Sequence, residues 1–550
     1  MPTRAATLAD GPGRSGIGRA SAFLASGTLV SRALGFVNAF VLTAVLGLNN
    51  EGSTAFAVAN QLPNNIYAII AGGLLSAVLV PQIVRAAMHD DGGQRFVNRL
   101  VTLGIVVFLA VTALATVCAP LLVSLYANSG GQLAGEGIAL ATAFAYWCLP
   151  QIFFYALYSL IGEVLNARGL FGPFTWAPVA NNVVMIGSLL VFATVFGSDP
   201  DRGPSDWTAA EITMIAGGAT LGVACQAIVL MFFWRKTGLR FRPDFRWRGV
   251  GLGTTGRAAG WIFGMILTTQ LAGIVQSQVA TLADRDDGSI RMLSVAWLIF
   301  MLPHSIIAVS IATPYFTRMS GHARDGKRDA VRTDLSSSLR LVGLMMFGAA
   351  VALAAAAVPF AALFGRTDRE ISGMALVLVA YLVGLIPFST LFLLQRTFYA
   401  LGDTRTPFFV QLVQSSLFVI GALLVAFLAP SPVIAISLAA VTSLAGVVQA
   451  LIAAGLLRGR LGGIDARAVL RRFGLYAVAT IPAAAVGLGV FWWLASAIGG
   501  FVDAGYLYPM LSVGLIGALT LLVYVGVLAL FRLPELTTLA SPVLRILRRR

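Results

Sequence analysis

The chain has 550 residues, 58% of them hydrophobic and 11% charged, with a mean hydropathy of +0.85. That excludes a water-soluble globule, in which about a quarter of the residues carry charge. The formal net charge of +15 would suit a nucleic-acid partner, but the cations sit between membrane-length apolar runs, so topology explains them first.

Residues 1–19 form a Gly/Arg-rich tail with too little apolar character to order itself. The first apolar run, 20–48, is too long for a signal-peptide core and has no small-residue cleavage site after it. It contains Arg32 near mid-span, where a charge costs about 2.5–3.5 kcal/mol on insertion scales and must face a wet cavity or a partner. Thr28, Ser31, Arg32, Gly35, Asn38 and Ala39 recur at helical spacing and give one small-and-polar stripe. The stripe reads either as a packing seam or as a cationic contact in a transport cavity.

Hydropathy predicts fourteen membrane helices, at 20–48, 54–88, 98–127, 137–166, 174–197, 209–234, 258–283, 290–318, 336–365, 371–402, 407–429, 432–457, 472–498 and 506–531. Helix 2 opens with Asn60, Gln61, Asn64 and Asn65 around Pro63, and Tyr67 follows. Helix 7 carries Thr269, Gln270, Gln276 and Ser277, in pairs seven apart and so on one face. Helix 11 carries Gln411, Gln414 and Ser415. Such residues are either interhelical glue, at roughly 0.6–2 kcal/mol each, or the wall of a hydrophilic cavity; their recurrence in both halves favours the cavity. Glu163 near Arg168 reads as an interfacial pair, and His304 beside Pro303 as a satisfied histidine.

The links sort by charge. With both termini cytoplasmic, the tails and even-numbered loops carry 32 of the 38 Lys and Arg, and the odd-numbered loops only Arg202, Arg285, Arg291, Arg366 and Arg369. This is the positive-inside asymmetry. The longest link, 235–257, interleaves Phe241, Phe245 and Trp247 with arginines and reads as an amphipathic interfacial segment joining two halves. Residues 532–550 end in three arginines, a basic tail suited to anionic lipid.

The halves echo one another. Leu62-Pro63, Pro81, Arg85 and Arg99-Leu100-Val101 parallel Leu302-Pro303, Pro314, Arg318 and Arg340-Leu341-Val342; Ala167, Gly169 and Pro173 parallel Ala400, Gly402 and Pro407. An even number of helices per half relates them by an axis along the membrane normal, the plan of an alternating-access transporter. The predicted fold is therefore an all-α polytopic membrane protein with two six-helix lobes, 20–234 and 258–457, around a central cavity, and two further helices within 472–531. Cys118, Cys148 and Cys225 lie in apolar runs without metal-ligand spacing. No metal site, phosphate loop or catalytic constellation is evident.

In order along the chain, Ser31-Arg32 with Leu34-Gly35-Phe36, Leu62-Pro63-Asn64, Gly73, Val80-Pro81, Leu165-Asn166, Phe171, Ala177-Pro178, Asn182, Gln270, Phe398-Tyr399 and Asp403-Thr404-Arg405-Thr406-Pro407 resemble the MurJ (MviN) lipid II flippases of the multidrug/oligosaccharidyl-lipid/polysaccharide exporter superfamily. The resemblance implies a bacterial plasma-membrane transporter, not an enzyme. Its substrate would be undecaprenyl-pyrophosphate-linked disaccharide-pentapeptide, moved to the outer leaflet for peptidoglycan assembly. It further implies that helices 13 and 14 form a lipid-facing groove, that no cofactor is needed, and that membrane potential or an ion supplies the energy. The cavity set expected on this basis is Ser31, Arg32, Asn38, Asn60, Gln61, Asn64, Asn65, Tyr67, Gln270 and Gln276. This chain departs from the family pattern where cavity arginines are typical, with Asn38, Tyr67 and Leu298, and again with Thr54 and Gln61 in place of an acid and a lysine. A flippase for another polyprenyl-linked glycan, a drug or cation antiporter, and a non-transporting scaffold for cell-wall synthesis proteins stay open as alternatives.

Overall fold

A computed structural model describes residues 14–74, 83, 86, 91–128, 133, 135–199, 202–246, 256–283, 290–501 and 505–536. Among these there are helices and turns and no strand. The helices are α1 (Arg14–Leu46), α2 (Glu51–Leu74), α3 (Gln94–Val117), the short α4 (Ala119–Tyr126), α5 (Glu136–Ala167, with a turn before Gln151), α6 (Phe171–Phe196) and α7 (Ala209–Thr237). There follow α8 (Gly256–Ala280), α9 (Ile290–Arg324), α10 (Arg328–Ala355), the short α11 (Ala357–Ala361), α12 (Asp368–Ala400), α13 (Arg405–Leu428), α14 (Ile434–Leu461), α15 (Ala466–Ile498) and α16 (Leu507–Leu530).

Thirteen of the described helices are long and apolar enough to cross a membrane. They stand where thirteen of the fourteen runs were expected. The exception is α2, whose amide cluster dilutes its hydropathy and whose expected continuation to residue 88 lies mostly outside the described residues, with Pro81 and Arg85. The first helix begins at Arg14 rather than near residue 20. Of the basic tail expected over 532–550, residues 537–550 also lie outside the described residues.

The second half repeats the helix pairings of the first. In the first half α1 packs on α6, α6 on α7, α2 and α3 on α5, and α5 on α7. In the second, α8 packs on α13, α13 on α14, α9 and α10 on α12, and α12 on α14, while α15 and α16 pack on each other and on α10. Small residues permit such approaches in a membrane: a Cβ on Gly222 of α7 would stand 2.9 Å from the backbone oxygen of Asn181 on α6. Proline inside α6 is also accommodated locally. Pro178 has no N–H to offer the Phe174 carbonyl one turn back, and the Tyr158 hydroxyl of α5 donates to that carbonyl instead, at 2.9 Å.

Hydrogen bonds between the halves gather at the end of the bundle where α1 finishes, the Leu46 end. Arg291 of α9 donates to the Ala39 carbonyl and the Thr43 hydroxyl of α1, both at 3.2 Å. Arg366 donates to the Ala44 carbonyl at 2.7 Å, Gln278 to the Ser124 carbonyl at 2.8 Å, and the Asn128 N–H to the Thr281 hydroxyl at 2.9 Å. Edge-on rings reinforce the seam, with Phe36 against Phe360 and Phe364, and Phe40 against Tyr506. Arg202, a third arginine of this end, pairs with Glu211 and lies over Phe192 and Trp207. The few arginines that depart from the charge asymmetry thus include three that fasten this end.

The described part of the 235–257 link is an extended strap. The N–H groups of Arg240, Arg242 and Asp244 donate to Gln94 (2.8 Å), Asn98 (3.3 Å) and Thr102 (3.0 Å) of α3. Four helical residues rise about 6 Å and two extended residues about 6.6 Å, so every second strap residue meets every fourth helix residue. Asp244 accepts from the Arg246 N–H at 3.0 Å and pairs with Arg99 at 3.1 Å, which holds its carboxyl below the usual carboxylate range. Phe241 and Phe245 are exposed among the arginines. At the start of α13, burial alone would raise the Asp403 carboxyl. The Thr406 hydroxyl and N–H, with Arg460 at 2.8 Å, outweigh this and leave it lowered. The Asp403–Pro407 motif is therefore a helix cap tied to the end of α14.

Candidate functional site

A cavity of about 500 Å³ lies where α2 faces α8, α9, α12, α13 and α14. Its polar wall consists of eight carboxamides and seven hydroxyl side chains. Gln449 donates to the Gln411 carbonyl oxygen at 2.9 Å, and Gln411 donates in turn to Gln414 at 2.8 Å. Gln276 hydrogen-bonds the Tyr381 hydroxyl. Its apolar wall is a ring cluster in which Trp297 stacks on Phe300 at 4.8 Å and meets Tyr381 and Phe388 edge-on. Among the described residues, no Asp, Glu, Lys or Arg lines it.

Of the residues expected in the cavity, Gln61, Asn65, Gln270 and Gln276 line it together. Asn60, Asn64 and Tyr67 do not, and helical periodicity explains the split. Positions 61 and 65 share one face of α2, while 60, 64 and 67 share another. On that second face Asn60 accepts from Gln151 of α5 at 3.1 Å, and Tyr67 bonds Ser159 and meets the Tyr155 ring. Asn64 is exposed between them. Asn65 also donates to the Tyr126 hydroxyl at 3.3 Å.

On α1 the polar stripe divides in the same way. The Ser31 carbonyl accepts from Asn182 of α6 at 3.2 Å, and Gly35 faces the same side chain. Asn38 is half-buried, with an oxygen that has no hydrogen-bond partner. Arg32 is exposed and makes no hydrogen bond or ion pair with the described residues. It lies fourteen residues, about 21 Å, short of the Leu46 end. Its guanidinium acts electrostatically on His304 of α9. His304 bonds the Ser389 hydroxyl through Nδ1 at 3.0 Å and touches Phe388 and Phe392, both of which line the cavity. His304 therefore touches the cavity's rings on one side and feels the Arg32 charge from a distance.

The sequence reading missed several residues. Gln395 and Gln449 are single amides in apolar helices, without a periodic signal. Arg396, next to Gln395, was counted with the loop cations; its guanidinium lies 5.0 Å over Phe392 and 5.3 Å over Phe316, with no carboxylate partner among the described residues. Arg396 thus stands against Phe392, one of the cavity's rings.

The family model described as "Lipid II flippase MurJ" matches residues 43–507, beginning eleven residues after Arg32. Among curated relatives, the probable lipid II flippase MurJ of Haemophilus influenzae is 26% identical over 407 residues, covering 69% of this chain and 75% of its own. That of Bdellovibrio bacteriovorus is 28% identical over 403 residues, covering 72% and 74%. Among solved structures, a lipid II flippase MurJ in an inward closed conformation superposes with a TM-score of 0.70 at 19% identity, covering 92% of this chain and 98% of its own. An inward-facing multidrug resistance MATE family transporter of the MOP superfamily superposes at 0.61 and 17% identity, covering 78% and 94%. Both structural likenesses carry the fold.

Proposed function

Because the chain belongs to the lipid II flippase MurJ family, we propose that it moves lipid II from the inner to the outer leaflet with Arg32, aided by Arg396, as the pyrophosphate contact. The chain is a membrane transporter and not an enzyme, with a lipid-linked glycan as substrate. The observation that carries the site is Arg32 itself: a guanidinium within a helix long and apolar enough to span a membrane, exposed and without a partner among the described residues. A cation so placed is expensive unless water or an anion meets it, and a pyrophosphate accepts charge-assisted hydrogen bonds from a guanidinium fork. The cavity glutamines complete a polar route between the halves while the polyprenyl tail stays in lipid.

The charge asymmetry supports cytoplasmic termini. The Leu46 end is then extracytoplasmic, and its bonds between the halves hold the outer side shut, as loading from the inner leaflet requires. Arg291 and Arg366 must release α1 before the outer side opens. The test is complementation. In a bacterium depleted of its own lipid II flippase, this chain is expected to restore growth and surface labelling of lipid II. Membrane-inserted protein that restores neither would point to another polyprenyl-linked glycan or to a scaffold.

A further inference from the structure

We infer that the carboxamide cavity is the seat of the sugar of the transported headgroup, separate from the cations that meet the pyrophosphate. The inference rests on the flippase reading. Three features of the cavity select the ligand class.

The first is neutrality. With no Asp, Glu, Lys or Arg among the described residues of its wall, the cavity offers nothing there to balance a pyrophosphate or the terminal carboxylate of a peptide. The second is the supply of unused hydrogen-bonding groups. Gln61, Gln270 and Gln395 line the cavity, and none bonds a protein group among the described residues. A carboxamide is both donor and acceptor, and so are the hydroxyl and N-acetyl groups of an amino sugar. Amides held in place by a wall but left unpaired by it call for a polar, uncharged ligand. The third is the pair of half-buried rings Trp297 and Phe388 in the cavity wall, backed by the buried Phe300 and Tyr381. Flat aromatic faces suit the C–H faces of a pyranose, and the volume of about 500 Å³ falls within the range of small-ligand sites, roughly 300–1,000 Å³. Because α2 supplies Gln61 and Asn65 from the first half and the other walls come from the second, movement between the halves would take the site apart and release the sugar.

The test compares two lipids that share tail and pyrophosphate: lipid II and undecaprenyl pyrophosphate, which lacks the sugars and peptide. Binding to the purified full chain in nanodiscs is measured for the wild type, for Gln270→Leu with Gln395→Leu, and for Arg32→Ala. The leucines replace amides that hold no protein hydrogen bond, so the fold keeps its own bonds. The wild type is expected to prefer lipid II, and the paired leucine variant to lose about tenfold in lipid II affinity with undecaprenyl pyrophosphate unchanged. Soluble N,N′-diacetylchitobiose, an uncharged N-acetylated disaccharide, should compete for the wild type and not for the leucine variant. Arg32→Ala should weaken both lipids. A leucine variant that keeps the full preference overturns the sugar site and leaves the flippase reading standing. A wild type that binds neither lipid removes the flippase reading and the sugar site with it. Loss of both lipids in the leucine variant, with an unchanged melting temperature, also overturns the separation of the two subsites.

Discussion

Arg32→Ala is expected to abolish complementation in a flippase-depleted strain, with surface-labelled lipid II falling to the level of the depleted host. Removing a charged hydrogen-bond donor from its ligand costs about 1.5–3 kcal/mol, at least a tenfold loss in affinity. Inside a membrane, where little water reaches the pyrophosphate, the loss belongs at the upper end of that range. Arg32→Lys keeps the charge but not the planar fork and should fall between alanine and wild type. Both variants should reach the membrane at wild-type levels, since the Arg32 side chain bonds no described protein group and its loss leaves no interior partner stranded. Surface labelling is the readout. An alanine variant that labels like the wild type would return Arg32 to the packing-seam reading, in which the α1 stripe serves only its contact with α6.

The second large effect concerns the closed end. The hydrogen bond from the Asn128 N–H to the Thr281 hydroxyl, 2.9 Å long, brings the two backbones within reach of a disulfide, whose Cα atoms stand about 4.4–6.8 Å apart. In a chain with Cys118, Cys148 and Cys225 replaced by alanine, Asn128→Cys with Thr281→Cys should cross-link the halves on oxidation. Transport should stop, and reductant should restore it. Either single cysteine should leave transport unaffected by oxidant. Persistent transport through the oxidised double variant would mean that this end does not part during the cycle.

Much of this was legible in the sequence. Membrane helices announce themselves through unbroken apolar runs, and thirteen of them stand where hydropathy put them. The exception is informative: the amides that make α2 part of the cavity are the same residues that lower its hydropathy. The internal repeat could be read from paired prolines and arginines, and the helix pairings of the two halves carry it through. The cavity was legible only in part. The residue types of α2 were apparent, but which face of the helix meets the cavity depends on neighbours, and α5 takes Asn60 and Tyr67 for itself. Gln395 and Gln449 could not be singled out, because an isolated amide in an apolar helix has no spacing to betray it. The fastening of the Leu46 end was hidden for another reason. Arg291 and Arg366 bond main-chain carbonyls of α1, and a carbonyl belongs to every residue, so no sequence pattern identifies the partner.

The most direct measurement of the central claim is lipid II translocation by the purified chain in sealed liposomes, read as the fraction of labelled lipid II accessible to an externally added headgroup-cleaving enzyme. With lipid II in both leaflets at the start, the account predicts that wild-type protein raises this fraction well above the protein-free value and that Arg32→Ala does not. A fraction that stays at the protein-free value with wild-type protein inserted would contradict it.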